Sequence, residues 1–226
     1  MFGDWDWTGA QAAMETALAL EPENAAVHNH GAWLAIGSSD LDRALYEARA
    51  ALDIEPSSLF YRNVLARVLV HRGDYGNAIS LLSRILELDS TIDPALENLA
   101  LAYIVSGEPE SAVRLVLKRA SSGPLADHMI GLLARANGDA GVTSKAERAY
   151  AELLAESKAR YVPSWPLALA AVGLDRKDET IEHLSRGAEE REAALVFLQG
   201  LPLFDRVRSR QEYQRIAAMV GPALSA

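Results

Sequence analysis

Alanine recurs every 34 residues along this chain, at Ala10, Ala44, Ala78, Ala112 and Ala146, and Thr180 takes the next step. Prolines keep the same interval at Pro22, Pro56 and Pro124, with Ser90 where the third would fall. A fixed period of this length marks a chain of stacked supersecondary units, each burying its apolar side on its neighbours. An array of this kind grows by adding units, so 226 residues need not divide into separate globular domains.

Numbering each unit so that its alanine is position 20 places the unit starts at Ala25, Leu59, Asp93, Asp127 and Tyr161. Small residues then fall at position 8 of every unit: Ala32, Ala66, Ala100, Ala134 and Ala168. Large residues surround them at helical spacing, as in Leu96, Leu99 and Tyr103, then Val116, of the unit from Asp93. Two helices crossing at positions 8 and 20 can approach closely only if both side chains are small. The punctuation agrees. Gly37, Gly73, Gly107 and Gly173 stand where first helices need a left-handed terminator. Ser39 or Asp40, Asp74, and Thr143 or Ser144 stand where second helices need an N-cap. Pro109 suits a first helical position. Helices are expected over 25–37, 40–54, 59–72, 75–88, 93–106, 109–120, 125–137, 143–158, 164–173 and 177–192. A further helix over 8–20 stands alone at the start, with Thr8 and Gln11 as a capping box. Another runs from Gln211 to Val220, its apolar face formed by Tyr213, Ile216, Ala217 and Val220.

This signature of small and large residues resembles the tetratricopeptide repeat. The resemblance implies an all-α fold, a right-handed superhelix of about five and a half helical hairpins with a C-terminal cap. It makes one solenoid domain of residues 1–226: a half repeat 1–24, repeats 25–58, 59–92, 93–126, 127–160 and 161–194, and a cap over 195–226. The ends carry a second resemblance. Phe2-Gly-Asp-Trp-Asp-Trp-Thr-Gly-Ala10, Tyr161-Val-Pro, Glu189-Glu-Arg191, Leu195–Leu198 and Pro202–Ser209 resemble the tetratricopeptide region of bacterial winged-helix regulators and class III adenylate cyclases. That likeness implies a regulatory or sensory segment whose effector domain, normally N-terminal, is not in this sequence.

Composition narrows the partners. The net charge of −9 argues against binding nucleic acid, which needs Lys and Arg against phosphates. Residues 1–120 hold 9 Lys+Arg against 17 Asp+Glu, and residues 121–226 hold 13 against 14. The excess acid in the first half reads first as a solubilising surface, with a face for a basic partner as the sharper alternative. No apolar run is long enough for a membrane span, and the chain has no cysteine, so a cytoplasmic location is expected. No cofactor or metal is expected. His28 and His30 point about 200° apart on a helix, and His71, His128 and His183 lie far from them in sequence. No nucleophile elbow, phosphate loop or metalloprotease motif occurs, so the chain reads as a non-catalytic protein-binding scaffold.

In the tetratricopeptide fold, first helices line an inner groove through positions 2, 5, 6, 9, 12 and 13. Counting along this chain gives the candidate contacts Asn29, His30, Trp33, Phe60, Asn63, Arg67, His71, Glu97, Asn98, Leu101, His128 and Arg135. Asn29 and Asn63 share one repeat position, and a carboxamide can both donate to and accept from an extended peptide backbone. Tetratricopeptide clamps for a C-terminal carboxylate use a Lys-Asn-Asn-Lys-Arg set at positions that are here Asn29, Trp33, Val64, Pro94 and Asn98; the cations are missing, so a carboxylate clamp is not expected. The expected partner is a peptide or protein. The uncovered outer side of helix 8–20 would pair two copies as a homodimer.

Overall fold

A computed structural model describes residues 5–222. Among them the structure is helical throughout, with no strand: α1 (Trp7–Leu20), α2 (Ala25–Gly37), α3 (Leu41–Ile54), α4 (Leu59–His71), α5 (Tyr75–Leu88), α6 (Asp93–Val105), α7 (Pro109–Ala120), α8 (Asp127–Asp139), α9 (Thr143–Ala159), α10 (Ser164–Gly173), α11 (Lys177–Glu189) and α12 (Gln211–Val220). Two short 3₁₀ turns, Ala193–Phe197 and Pro202–Phe204, precede α12. The start of the first end motif, Phe2 to Asp4, lies outside the described residues.

Contacts sort the chain into two compact units. Unit 1 takes in the chain up to Ala102 and again from Gly221, and unit 2 runs from Tyr103 to Val220. Within unit 1, α2 packs on α3, α3 on α4 and α4 on α5, with α1 against α2. Within unit 2, α8 packs on α9 and α10, and α10 on α11, in the same hairpin order. This is the expected tetratricopeptide-like solenoid fold. The small-residue positions explain the packing. Ala44, Ala78, Ala112 and Ala146 are fully buried, as are Ala32, Ala66, Ala100, Ala134 and Ala168. Thr180 is fully buried too, because its hydroxyl donates to the Arg176 carbonyl at 2.8 Å and needs no other partner.

Helix α8 meets α10 with backbone close to backbone. A Cβ on Gly138 would collide with the Gly173 carbonyl, and one on Gly173 would lie 2.8 Å from the Arg135 Cα. Gly173 is therefore small for the sake of its neighbour rather than for a left-handed turn. Asp175 takes the positive φ that was expected at Gly173, and Ser39 the one expected at Gly37. Gly73 and Gly107 do adopt positive φ. Two N-caps also differ from expectation. Asp6, not Thr8, caps α1 by accepting from the Gly9 N–H at 2.9 Å. Val142 occupies the N-cap of α9, with Thr143 already helical and no side-chain bond formed. Asp40 and Asp74 cap α3 and α5 as expected.

Unit 2 contains a buried polar knot between α9 and α11. The Tyr150 hydroxyl donates to Glu179 Oε2 at 2.8 Å and lies 2.7 Å from His183 Nε2. Arg176 binds Glu179 at 3.2 Å and Glu147 at 2.6 Å, and lies over the Tyr150 ring. Burial, then the Glu179 bond, push the Tyr150 phenol up. Burial, then the Arg186 charge, hold the His183 imidazole below the ordinary value of 6.5, against the opposing pull of Glu182 and Glu179.

Two measurements check this account. Replacing Ala78 with Leu overpacks a closed crossing and should lower stability by about 1–3 kcal/mol, seen as a lower urea midpoint. Because the folded state holds His183 neutral, its contribution is complete above the unfolded value near 6.5 and is lost as pH falls. The thermal midpoint should therefore drop on acidification, and His183→Gln should flatten that dependence.

Candidate functional site

Positions 5, 9 and 13 of a first helix are four residues apart and form one stripe along it. On α4 the stripe is Asn63, Arg67 and His71, and all three are buried. Asn98 on α6, also buried, joins them into a chain within unit 1. Asn98 Nδ2 donates to Asn63 Oδ1 at 2.9 Å, and Arg67 Nη1 donates to Asn98 Oδ1 at 2.8 Å. Arg67 Nε donates to His71 Nε2 at 3.1 Å. An accepting Nε2 places the proton of a neutral His71 ring on Nδ1. Burial lowers the Arg67 guanidinium below its usual range, and the Glu97 carboxylate opposes that shift. A buried cation persists when charges and hydrogen bonds surround it, as they do here.

Asn29 on α2 holds the repeat position of Asn63 but has a different fate. Its Oδ1 is buried without a hydrogen-bond partner among the described residues. The reason is legible by counting. Asn63 finds its donor 35 residues later at Asn98, and the residue 35 after Asn29 is Val64. An acceptor buried in this way costs about 1–3 kcal/mol unless something donates to it. Phe60, one turn before Val64 on α4, is 56% exposed and meets Tyr61 edge-on at 5.5 Å. His30 is exposed, with Nδ1 donating to the Ala26 carbonyl at 2.7 Å, and Trp33 is half-buried. Glu97 is half-buried and Leu101 buried. Unit 1 thus brings together Asn63, Arg67, His71 and Asn98 as one hydrogen-bonded chain. Asn29 keeps a buried oxygen with no donor among the described residues, His30 and Phe60 are exposed, and Trp33 is half-buried.

The last two candidates lie in unit 2, where the setting differs. His128 is half-buried at the start of α8. Arg135 is buried, donates from Nη1 to the Leu203 carbonyl, and bonds Asp139 Oδ2 at 2.7 Å. Its neighbours come from the C-terminal segment. Arg206 donates to the Val172 and Gly173 carbonyls at 2.7 and 3.0 Å and binds Asp139 at 2.7 Å. Phe204 meets Trp165 edge-on at 5.1 Å. Arg135, Asp139, Trp165 and Gly173 all stand at groove positions of their repeats, so residues 203–206 occupy the inner face of α8 and α10. A cap over 195–226 was expected, but not its seat on these groove positions, because the segment has no period and its contacts skip about 35 or 70 residues.

No group of three metal-ligating side chains occurs among the described residues. His28 Nδ1 sits 2.7 Å from Glu47, and its Nε2 sits 2.8 Å from the Pro22 carbonyl, so this pair ties α2 to α3. Among the described residues no helix is long and apolar enough to cross a membrane.

The tetratricopeptide repeat profile matches residues 6–59, 32–94 and 63–127, which together span more than half of the chain. Among solved structures, the chain is similar to PilW, described as a widely conserved type IV pilus biogenesis factor, at 19% identity and a TM-score of 0.58, covering 93% of this chain and 90% of that one. It is also similar to a tetratricopeptide repeat protein from Parabacteroides merdae at 14% identity and a TM-score of 0.59, covering 95% and 92%. No curated protein matches the chain.

Replacing Asn98 with Ala removes the acceptor of Arg67 and the donor to Asn63 together. It should destabilise the protein by about 2–3 kcal/mol, measurable by urea unfolding.

Proposed function

The chain belongs to the tetratricopeptide repeat family, and we propose that it is a non-catalytic interaction module whose unit 1 inner face takes an extended peptide or a segment of a partner protein. The supporting observation is Asn29: a carboxamide on the inner face whose buried oxygen has no donor among the described residues. A backbone N–H of a bound strand supplies that donor, and the exposed Phe60 and half-buried Trp33 offer apolar surface beside it. Asn63, Arg67, His71 and Asn98 then act behind the contact, holding α4 and α6 in place. On this reading Arg135 is not a contact for an outside peptide, since the segment containing Leu203 covers it. The module works in the cytoplasm and needs no cofactor. Pairing of two copies through the outer side of α1 remains part of this proposal, and sedimentation at rising concentration decides it.

A second reading is supported by the likeness of both chain ends to bacterial regulators. In it the module is the sensory segment of a transcription regulator or adenylate cyclase, joined to an effector domain outside this sequence. The coding sequence upstream of Met1 separates the two readings.

The groove reading is tested by panning a displayed random-peptide library on the full chain. Selected peptides should lose about tenfold or more in affinity with Asn29→Ala or Phe60→Ala, with helical circular dichroism unchanged. Peptides whose binding ignores both changes place the contact elsewhere.

A further inference from the structure

The second helices of the two units end in opposite ways. In unit 1, α1, α3 and α5 close on Glu21, Glu55 and Asp89, and none has a base in its last turn. In unit 2, α7 carries Lys118 and Arg119 there, α9 carries Lys158 and α11 carries Arg186. A helix C-terminus bears partial negative charge, so the second arrangement is the favourable one. A carboxylate at such an end is repelled by it. The residue immediately before each unit 1 carboxylate is apolar and open to solvent: Leu20 is 76% exposed, Ile54 39% and Leu88 57%. These three share one repeat position, and the same position further along holds Ser122, Glu156 and Glu190. The alternation of exposed apolar residue and carboxylate is thus confined to unit 1.

Capping does not account for it. The next helices have their own caps, since Asn24 accepts from the Ala26 N–H at 2.9 Å and Ser58 from the Tyr61 N–H at 3.3 Å. Glu21 accepts from the Asn24 amide, and Asp89 accepts from the Thr91 N–H and hydroxyl at 2.9 and 2.6 Å. Those bonds orient two carboxylates without neutralising them. Asp53, Glu23 and Glu87 add further acid beside the same three ends, and Arg84 pairs with Glu87 at 3.0 Å. The charge balance follows the same division. Residues 1–102 hold 6 Lys+Arg against 15 Asp+Glu, while the remainder holds 16 of each, so all of the net −9 lies in unit 1.

We propose that the C-terminal ends of α1, α3 and α5 form a second docking surface, separate from the inner face, for an amphipathic helix of a partner protein whose apolar stripe is flanked by Lys and Arg. Successive helices of a repeat stack lie on the order of 10 Å apart, and seven residues of a helix rise about 10.5 Å, so one heptad-spaced stripe meets Leu20, Ile54 and Leu88 in turn. The flanking cations meet Glu21, Glu55 and Asp89 and relieve the unfavourable charge at three helix ends at once. The same acidity repels phosphate, which excludes nucleic acid and anionic lipid as occupants.

The probe is a fluorescent helical peptide of roughly 20 residues with Leu in a heptad stripe and Lys and Arg beside it, read by anisotropy against the full chain. A scrambled peptide of the same composition is the comparison. The ordered peptide should bind more tightly than the scrambled one. Its affinity should fall by about tenfold or more in the triple variant Leu20→Ser, Ile54→Ser, Leu88→Ser. The triple variant Glu21→Gln, Glu55→Gln, Asp89→Asn should weaken binding and reduce its salt dependence. Phe60→Ala should leave it unchanged, which keeps this surface distinct from the inner face. All six substituted positions are solvent-facing or half-buried, and unchanged circular dichroism confirms the fold. No binding of the ordered peptide, equal binding of the scrambled one, indifference to the serine variant, or loss with Phe60→Ala overturns the proposal.

Discussion

The close approach of helical backbones at small side chains is the interaction on which the rest of this protein depends. Nine buried alanines and a threonine let each hairpin close and each neighbour stack. At Gly138 and Gly173, away from the alanine positions, even a Cβ would collide with the facing backbone, so α8 and α10 also meet in close contact there. Side chains of ordinary size are thereby pushed to the flanks of each crossing, and the stripes they form there have fixed spacing. The polar chain on α4 and α6 and the bare Asn29 oxygen both follow from that spacing.

Within this frame, specificity comes from departures from the repeat. Asn63 and Asn98 are satisfied because the donor stands one residue beyond a full period from the acceptor. The same offset from Asn29 lands on Val64, and the hydrogen bond is missing. A strictly periodic sequence would have made both positions alike. Buried polar groups that fit only one neighbour tell otherwise similar repeats apart, which favours a single order of stacking over its near-equivalents.

The fold was legible because its determinant is periodic. Helix limits over 25–37, 59–72, 75–88, 109–120 and 164–173 agree with the structure to within a residue. The start of α8 falls at Asp127 rather than 125, and α11 stops at Glu189, where chain-end details outweigh pattern. Caps were less legible, since Thr143 has the right chemistry for an N-cap but lies one residue inside its helix. At the candidate site, counting located the stripe Asn63, Arg67, His71 but could not say that its members bond to one another. That depends on rotamers and on the neighbouring helix. Least legible was the fate of Arg135, which turns on a segment without period that arrives from about 70 residues away.

That segment also gives the array a direction of growth. Arg206 and Leu203 grip features of two particular first helices, Asp139 and Arg135 on α8 and the closing carbonyls of α10. A duplication of repeats ahead of α8 would leave this clasp untouched, and one inserted behind it would separate the residues it joins.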